Sequence, residues 1–535
     1  MNRNIPKITI IIFLWFFFLF LFLFDIQIVK HKYYFNRSLH IQKIKTTARR
    51  GTIFDRKGKV LAGSYEDYTG RVAIDFKNYV YDKLVLEKIG QILKLSETDL
   101  KVGIKSKKAF FILKEKTPIQ DLIKLENLNV EGLILEKGYK RVYPYEELLS
   151  HIIGWIGWEN DGVSGLEYFF NDQLKGRDGE KLVMRDSKRQ AYDLGEEIIP
   201  LIPGKDIQTT LDISLQYMAT KALKKLKEKI EYEWGAISVI NPNNGEVLAH
   251  SIYPPFDPLK KGYWQDEHLA SSYYEPGSIL KPFFADTALR LGIVKKTDKF
   301  DCSKGYIEIE GIKINDHRLF EILNFDETLT FSSNVGCILW SRRIPSKEFV
   351  NTIENYGFLK KTGIEIPAEV KGRLESKSIN KISQAYITLG QGISVTSAQI
   401  LRAYSALING GYLVKPHFEM KNTFKEKLKF ETQSENLKKI LYQTVIEGTG
   451  KKANISFISM GGKTGTAQLA EGGKYVKGAY ISSFVCWFPI EKPEYLVLVV
   501  IKKPRPLYYG GDVAAPVARE ISFYLFLKGK EYENI

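Results

Sequence analysis

The chain has 535 residues, 44% of them hydrophobic and 26% charged, so it can build real cores and is too long for one ordinary domain. Its formal net charge of +16 would suit a polyanionic partner, but Lys and Arg are spread along the whole chain with no long basic tract and no nucleic-acid motif. Nucleic acid is therefore not implied, and general lysine richness accounts for the charge. The cysteines, Cys302, Cys337 and Cys486, stand far apart without a CxxC pair, which excludes a zinc knuckle, a dithiol redox motif and a disulfide scaffold. Buried free thiols are expected, with room for one disulfide.

The N-terminus is apolar from Ile8 to Phe24 apart from Thr9, and Ile26, Ile28 and Val29 extend the run. At ~1.5 Å per residue, the first ~17 residues span ~26 Å, and the extension completes one transmembrane helix. The segment that follows, Asp25-Ile26-Gln27-Ile28-Val29, has no small-residue cleavage pattern. The reading is an uncleaved anchor over residues 8–29 behind a tail of residues 1–7; a buried core helix is the rival. Arg3 and Lys7 precede the span while Lys30, Lys32 and Arg37 follow it, so flanking charge does not orient it.

Beyond the anchor, Arg50 to Ala62 reads as a strand, a turn at Lys57-Gly58 and a second strand. Gly162-Val163-Ser164-Gly165-Leu166-Glu167 is a glycine-punctuated landmark, after which a helical pattern runs to Leu174. Pro200, Pro203 and Gly204 mark the best linker in the chain, and a domain boundary is expected there. The remainder reads as a hairpin (235–240, the turn Asn241 to Gly245, then 247–252), helices such as 278–291 and 396–407, and two apolar strands around Lys492-Pro493. Hairpins bracketing a helical block predict an α+β fold, an antiparallel sheet packed with helices.

Three short strings carry chemistry. Ser278-Ile279-Leu280-Lys281 is a Ser-x-x-Lys at a helix start marked by Pro276-Gly277; residues three apart share a helix face, so the Lys281 amine can sit beside the Ser278 hydroxyl. Serine needs an adjacent base to act as a nucleophile, and a lysine in a dry pocket can lose its proton and serve as one. Ser332-Ser333-Asn334 offers a hydroxyl and an amide that an extended loop can point into one cleft; a polar turn or N-cap is the plainer reading. Gly461-Gly462-Lys463-Thr464-Gly465-Thr466-Ala467 invites comparison with a phosphate-binding loop, but Phe457 stands where that motif needs glycine, and Thr466-Ala467-Gln468 suits a strand.

Taken in order, Ser-x-x-Lys, then Ser-x-Asn about 50 residues on, then Lys-Thr-Gly about 130 further, resemble the motif triad of serine penicillin-binding proteins. Arg50-Gly51-Thr52-Ile53-Phe54-Asp55-Arg56 and the Gly165-Leu166-Glu167 segment resemble the pedestal of class B members. Gly390-Gln391-Gly392 with Val395-Thr396, and Tyr508-Tyr509-Gly510-Gly511 with Ala514-Ala515-Pro516, extend the resemblance over nearly the whole chain. One departure is Ser397, where such families usually have proline in Thr-Pro-x-Gln. The short link from His151-Ile152-Ile153-Gly154 to Gly165-Leu166-Glu167, and Ser482-Ser483-Phe484-Val485 followed by Phe488-Pro489, are similar to the division (FtsI-type) members; an elongation-type member is the alternative.

The resemblance implies a non-catalytic, dimerisation-like pedestal over residues 30–204 and a transpeptidase domain of the penicillin-binding/serine β-lactamase type over residues 205–530. It implies that Ser278 is the nucleophile, Lys281 its base, Ser332 a proton carrier and Asn334 an orienting group. Lys463, Thr464, Gly465 and Thr466 would bind the substrate carboxylate, and the backbone N–H groups of Ser278 and Thr466 would form the oxyanion hole. No metal or cofactor is implied. The implied partners are peptidoglycan stem peptides ending in D-Ala-D-Ala, β-lactams as covalent inhibitors, an FtsW-type membrane glycosyltransferase and other division proteins. The implied location is a single pass through the cytoplasmic membrane with the catalytic domain outside. A β-lactamase would lack the pedestal, a β-lactam-binding sensor would need a signalling domain, and an inert scaffold would lack one of the three motifs.

Overall fold

The N-terminal helix α1 (Ile5–Phe24) continues as one wider turn over Asp25–Val29, and its apolar side chains from Ile10 to Phe24 are exposed. A helix whose Phe, Leu and Ile residues face outward on every side has no protein core to serve. Its length and apolarity, Thr9–Val29 at mean hydropathy 2.6, suffice to cross a membrane once. The computed structural model describes the chain apart from residues 1–4, 31–39, 66–68, 76–81, 97–98, 100–109, 129, 131, 137, 158–159, 186–190, 256–267, 377, 422, 472–473 and 534–535. Much of the expected tail, and Lys32 and Arg37 after the anchor, therefore lie outside the described residues.

The chain divides into two units. The first comprises Met1–Gly51, Gly63–Val142 and Asp172–Lys205. It holds a three-stranded antiparallel sheet, His40–Thr46, Gly179–Arg185 and Ala191–Ile199, with Gly179–Arg185 in the middle. A second sheet sets Thr69–Asp75 between Phe110–Pro118 and Leu133–Glu136. The helices Lys83–Leu93 and Ile119–Asn127 close a small core with it, formed by Val72, Ile89, Leu93, Leu122 and Leu125.

The second unit comprises Thr52–Ala62, Tyr143–Asn171 and Asp206–Ile535. The expected hairpin after Arg50 is present: Ile53–Phe54 pairs antiparallel with Val60 and Ala62, and Asp55 Oδ1 accepts from the N–H groups of Lys57 and Lys59 across the turn, each at 2.8 Å. At the second landmark the chain enters the short helix Gly165–Phe169, with the Glu167 carboxylate buried and accepting from Tyr143 OH at 3.3 Å.

The centre of this unit is a five-stranded antiparallel sheet of β1 (Trp234–Ile240), β2 (Val247–Tyr253), β3 (Gly461–Glu471), β4 (Lys474–Phe488) and β5 (Tyr495–Lys502), in the order β2-β1-β5-β4-β3. Strand β5 is buried on both faces from Leu496 to Ile501, which is why its sequence is a continuous apolar run. Helices α2 (Ile213–Lys227) and α7 (Gly510–Glu533) contribute Leu215, Leu223, Val513, Val517 and Ile521 to one core with Val497, Val499 and Phe484. The α+β expectation holds.

The helical block carries the catalytic candidates. The helix expected over 278–291 is a 3₁₀ turn, Gly277–Leu280, that passes into α3 (Lys281–Arg290); Pro282 sits in the first turn of α3, where its missing N–H has no partner to lose. Phe283 of α3 packs edge-on against Tyr356, Phe358 and Tyr404 at 4.7–5.0 Å, and Phe284 stacks on Phe349 at 4.0 Å. Tyr404 belongs to α5 (Ser397–Ile408), every residue of which is buried. That helix starts at a reciprocal cap, Thr396 with Gln399, and Ser397, the departure from the expected Thr-Pro-x-Gln, occupies the first helical position. Proline is dispensable there because the cap already fixes the helix start. Between α3 and α5 in the chain lies α4 (Asn334–Ser341), and α6 (Ser434–Ile446) precedes β3.

Phe283 is fully buried at the node of these ring contacts. Phe283→Ala is expected to destabilise the catalytic unit by ~3–5 kcal/mol, seen as a lower midpoint in denaturant unfolding of the detergent-solubilised chain. A change under ~1 kcal/mol would mean that the ring cluster does not hold α3.

Candidate active site

The 3₁₀ turn presents Ser278 half-buried, while Lys281, one turn on, has no exposure at all. The turn is braced from two sides. Tyr404 OH donates to Ile279 O at 2.6 Å, and Gly277 N donates to Gly390 O at 3.1 Å. Gly277 has φ +63°, and a Cβ there would stand 3.0 Å from Thr466 O. Glycine thus allows the turn of Ser278 to lie against the backbone of β3. On the strand side, a Cβ on Gly465 would meet Ser483 Oγ at 2.3 Å and Pro276 O at 2.8 Å. The first and third strings meet backbone to backbone, which brings the Thr466 amide beside the Ser278 turn.

The second string does not form an extended loop. Ser332 adopts a left-handed conformation (φ +57°), Ser333 caps α4 by accepting from Gly336 N at 2.9 Å, and Asn334 is the first helical residue. A non-glycine residue in that region carries ~1–3 kcal/mol of strain, which the surrounding structure must offset. The result is that Ser332 O, Ser332 Oγ and Asn334 Oδ1 all face one amine: Lys281 Nζ donates to Ser332 O (2.9 Å), Asn334 Oδ1 (2.9 Å), Ser332 Oγ (3.3 Å) and Ser333 O (3.4 Å). From the other side Lys463 Nζ donates to the same Ser332 Oγ at 2.8 Å and to Thr464 O at 3.2 Å.

Among the described residues no hydrogen bond joins Ser278 Oγ to Lys281 Nζ; the amine is engaged toward Ser332 and Asn334 instead. Burial lowers the pKa of Lys281, with Cys337 and Asp316 pulling the other way. Because burial also pushes the Cys337 thiol up, the Asp316 carboxylate is the effective counter-charge. Lys463 is held well below the usual lysine range, by burial first and by Lys281 second. Of the remaining expected residues, Thr464 is buried with its Oγ1 2.7 Å from Thr449 Oγ1, and Thr466 is partly exposed with its Oγ1 accepting from Gly510 N at 3.0 Å. Strand β3 is an edge strand of the five-stranded sheet. The three cysteines are buried free thiols.

Residues 235–522, just over half of the chain, match the family described as the penicillin-binding protein transpeptidase domain. The chain belongs to that family. Residues 45–209 match the penicillin-binding protein dimerisation domain, which makes this penicillin-binding protein a class B member. It is 31% identical over 425 residues to the Stage V sporulation protein D of Bacillus subtilis (strain 168), covering 74% of this chain and 65% of that protein. It is 29% identical over 504 residues to the probable peptidoglycan D,D-transpeptidase PenA of Neisseria meningitidis serogroup A, covering 91% and 85%. In fold it superposes on the crystal structure of penicillin-binding protein 2X from Streptococcus thermophilus with a TM-score of 0.72 at 24% identity, over 91% of this chain and 81% of that one.

Sequence reasoning missed two supports of this penicillin-binding protein's site. Glu275 is buried beside the Ser278 turn; its Oε1 accepts from Gly392 N at 2.7 Å and from Tyr475 OH at 3.3 Å, tying the Gly390-Gln391-Gly392 loop to that turn. Burial raises the pKa of Glu275. Asp316 is the second. Its carboxylate accepts from Ser333 Oγ at 2.8 Å, Val335 N at 3.3 Å and Asn334 N, and Asn315 O beside it accepts from Asn334 Nδ2 at 3.0 Å. A carboxylate at the N-terminus of α4 is favourable on charge alone, and here it also fixes the Asn334 backbone, while Asn315 O fixes the Asn334 side chain that holds Lys281.

Asp316→Ala is expected to slow penicillin acylation at least about tenfold, the order of one lost charge-assisted hydrogen bond. Asp316→Asn keeps an acceptor but removes the charge that favours protonated Lys281. Lys281 then stays neutral to lower pH, and the acidic limb of the acylation rate profile is expected to move to lower pH. An unmoved limb would show that Asp316 acts through geometry alone.

Proposed function

We propose that this chain is a peptidoglycan D,D-transpeptidase that cross-links stem peptides through an acyl-enzyme on Ser278. The observation that carries this reading is the convergence of two buried amines, Lys281 and Lys463, on Ser332 Oγ beside the Ser278 turn. Lys281, disposed by burial to be neutral, takes the Ser278 hydroxyl proton as the oxygen attacks the carbonyl of the penultimate D-Ala. The oxyanion is met by the backbone N–H groups of Ser278 and Thr466; one such donor is typically worth ~3 kcal/mol. The carbon–nitrogen bond to the terminal D-Ala breaks, and its nitrogen receives the proton through Lys281 and Ser332. An amine of a second stem then attacks the ester, forms the new amide and returns Ser278 to its hydroxyl form. The donor peptide lies along the open edge of β3 as an added strand, with its terminal carboxylate toward Thr464 and Thr466. β-Lactams present the same carbonyl and acylate the same serine.

Labelled penicillin is expected to form a covalent adduct that maps to Ser278 and is absent from Ser278→Ala. Lys281→Ala is expected to lose nearly all acylation with the thermal midpoint retained, and Lys463→Ala to be impaired as well. Full labelling of Ser278→Ala, or near-normal acylation of Lys281→Ala, would overturn the assignment of nucleophile or base.

The role we assign is septal wall synthesis, supported by the short link before Gly165-Leu166-Glu167 and the Ser482-Ser483-Phe484-Val485 stretch. The single apolar helix holds the chain in the cytoplasmic membrane with the catalytic unit outside, where the cross-linking substrate is. Peptide cross-linking needs nascent glycan strands, and the matched domains are described as transpeptidase and dimerisation domains, so we pair the chain with an FtsW-type membrane glycosyltransferase. Replacing Ile8–Phe24 with an unrelated span, or mutating exposed pedestal residues, is expected to leave penicillin acylation intact while at least one change abolishes co-purification with the glycosyltransferase. Normal binding and growth in both would reduce the pedestal to a spacer. Depletion giving filaments supports division; round cells would support the elongation alternative.

A further inference from the structure

The loop that carries Asp316 continues as His317-Arg318-Leu319-Phe320. It is moored against the second motif through Asn315 O and the Asp316 carboxylate, so its next residues lie beside that motif. Arg318 is exposed there, and its guanidinium lies over two rings, 4.7 Å from the centre of Phe320 and 5.4 Å from that of Phe331. Phe320 is buried, and it is packed against Phe331, the residue before Ser332, at 6.3 Å. Stacking holds a guanidinium in a chosen place while leaving its N–H edge open. Among the described residues no carboxylate pairs with Arg318 and no acceptor takes its N–H groups. A guanidinium held over two rings beside the second motif, exposed and without an anionic partner among the described residues, has its N–H edge open to a planar anion.

We propose that Arg318 recognises a carboxylate of the peptide substrate other than the terminal carboxylate lost with D-Ala. This rests on the transpeptidase reading above. The carboxylate belongs either to the donor stem or to the incoming acceptor, and the chemistry is shared: a bidentate guanidinium–carboxylate pair at the mouth of the cleft, outside the Lys463 region. The competing role is packing alone, in which the guanidinium only covers Phe320 and Phe331.

The test compares the detergent-solubilised full chain with Arg318→Gln and Arg318→Lys. In the donor arm, synthetic peptides ending in D-Ala-D-Ala carry either a free carboxylate or a carboxamide at an internal position, and release of D-Ala gives kcat/KM for each. In the acceptor arm, the acyl-enzyme is formed from a small thioester donor with no second carboxylate, and its partition to a D-amino acid is compared with that to the D-amino acid amide. The readout is the carboxylate-to-amide ratio, which general damage to the fold does not move. We expect the wild type to favour the carboxylate about tenfold in one arm, the order of one charge-assisted pair. Arg318→Gln should bring that ratio near unity, and Arg318→Lys should leave it intermediate. The arm in which this happens identifies the stem. Ratios unchanged by Arg318→Gln in both arms would overturn the proposal and leave Arg318 as packing. Penicillin labelling of Ser278 in the wild type is run in parallel: without it the transpeptidase reading falls and this inference with it, whereas labelling with indifferent ratios overturns the inference alone.

Discussion

Two lysine amines share one hydroxyl inside the protein, and much of the catalytic unit can be understood as what that arrangement demands. Lys281 and Lys463 have no exposure, and because both reach Ser332 Oγ, at 3.3 and 2.8 Å, their nitrogens lie within about 6 Å of each other. Two full charges at that distance repel by roughly 3 kcal/mol at an effective dielectric near 20, on top of the desolvation of each. The acceptors around them, Ser332 O, Asn334 Oδ1 and Thr464 O beside the shared hydroxyl, are neutral, so among the described residues no anion touches either amine to offset that repulsion. The arrangement therefore favours surrender of a proton, which is what a serine nucleophile needs from a neighbour. The counter-charge is kept one step back, on Asp316, which touches the backbone and hydroxyl of the second motif rather than either amine.

Holding such a cluster requires parts from three places that cannot adjust independently. The Ser278 turn is fixed by Tyr404 from α5 and by the Gly390 carbonyl; the Ser332 turn is fixed by Asp316 and the start of α4; Lys463 is fixed by its place in β3. Ser332 shows why compromise is needed. Its left-handed backbone would be easiest for glycine, yet its hydroxyl is the atom on which both amines converge, so the site keeps the side chain and accepts the strain. At Gly277 the balance goes the other way: positive φ and the nearness of Thr466 O leave no room for a side chain, and the turn needs none.

What could be read in the sequence follows from this division. The strings Ser278 to Lys281, Ser332 to Asn334 and Lys463 to Thr466 are local, and their order carried enough information to bring them to one site. The edge strand at 461–471 was readable because Thr466-Ala467-Gln468 suits a strand, and the turn at Lys57-Gly58 was readable because its signal is local. Asp316 was not readable. It lies in the loop after a two-stranded hairpin, Tyr306–Ile309 with Ile312–Asn315, and nothing in Ile314-Asn315-Asp316-His317 announces a cap for a helix that begins at Asn334. The conformation of Ser332 was hidden for a related reason. Whether Ser-x-Asn is an extended loop or a turn into a helix depends on a carboxylate contributed from elsewhere in the fold.

Lys463 shows how burial changes the meaning of a residue whose place was foreseen. Read as sequence, a lysine before Thr-Gly-Thr is a cation awaiting a carboxylate. In the fold it is fully enclosed and spends its hydrogen bonds on Ser332 Oγ and Thr464 O. A substrate carboxylate arriving at the edge of β3 would therefore meet the hydroxyl of the partly exposed Thr466 before it met the amine. Thr466 Oγ1 already accepts from Gly510 N, which leaves its own proton to donate outward. Thr464, paired with Thr449, lies behind it. In the proposed reaction the Thr466 hydroxyl meets the carboxylate, while the Lys463 amine stays enclosed on its hydrogen bonds to Ser332 Oγ and Thr464 O and keeps the Ser332 hydroxyl placed for the proton path.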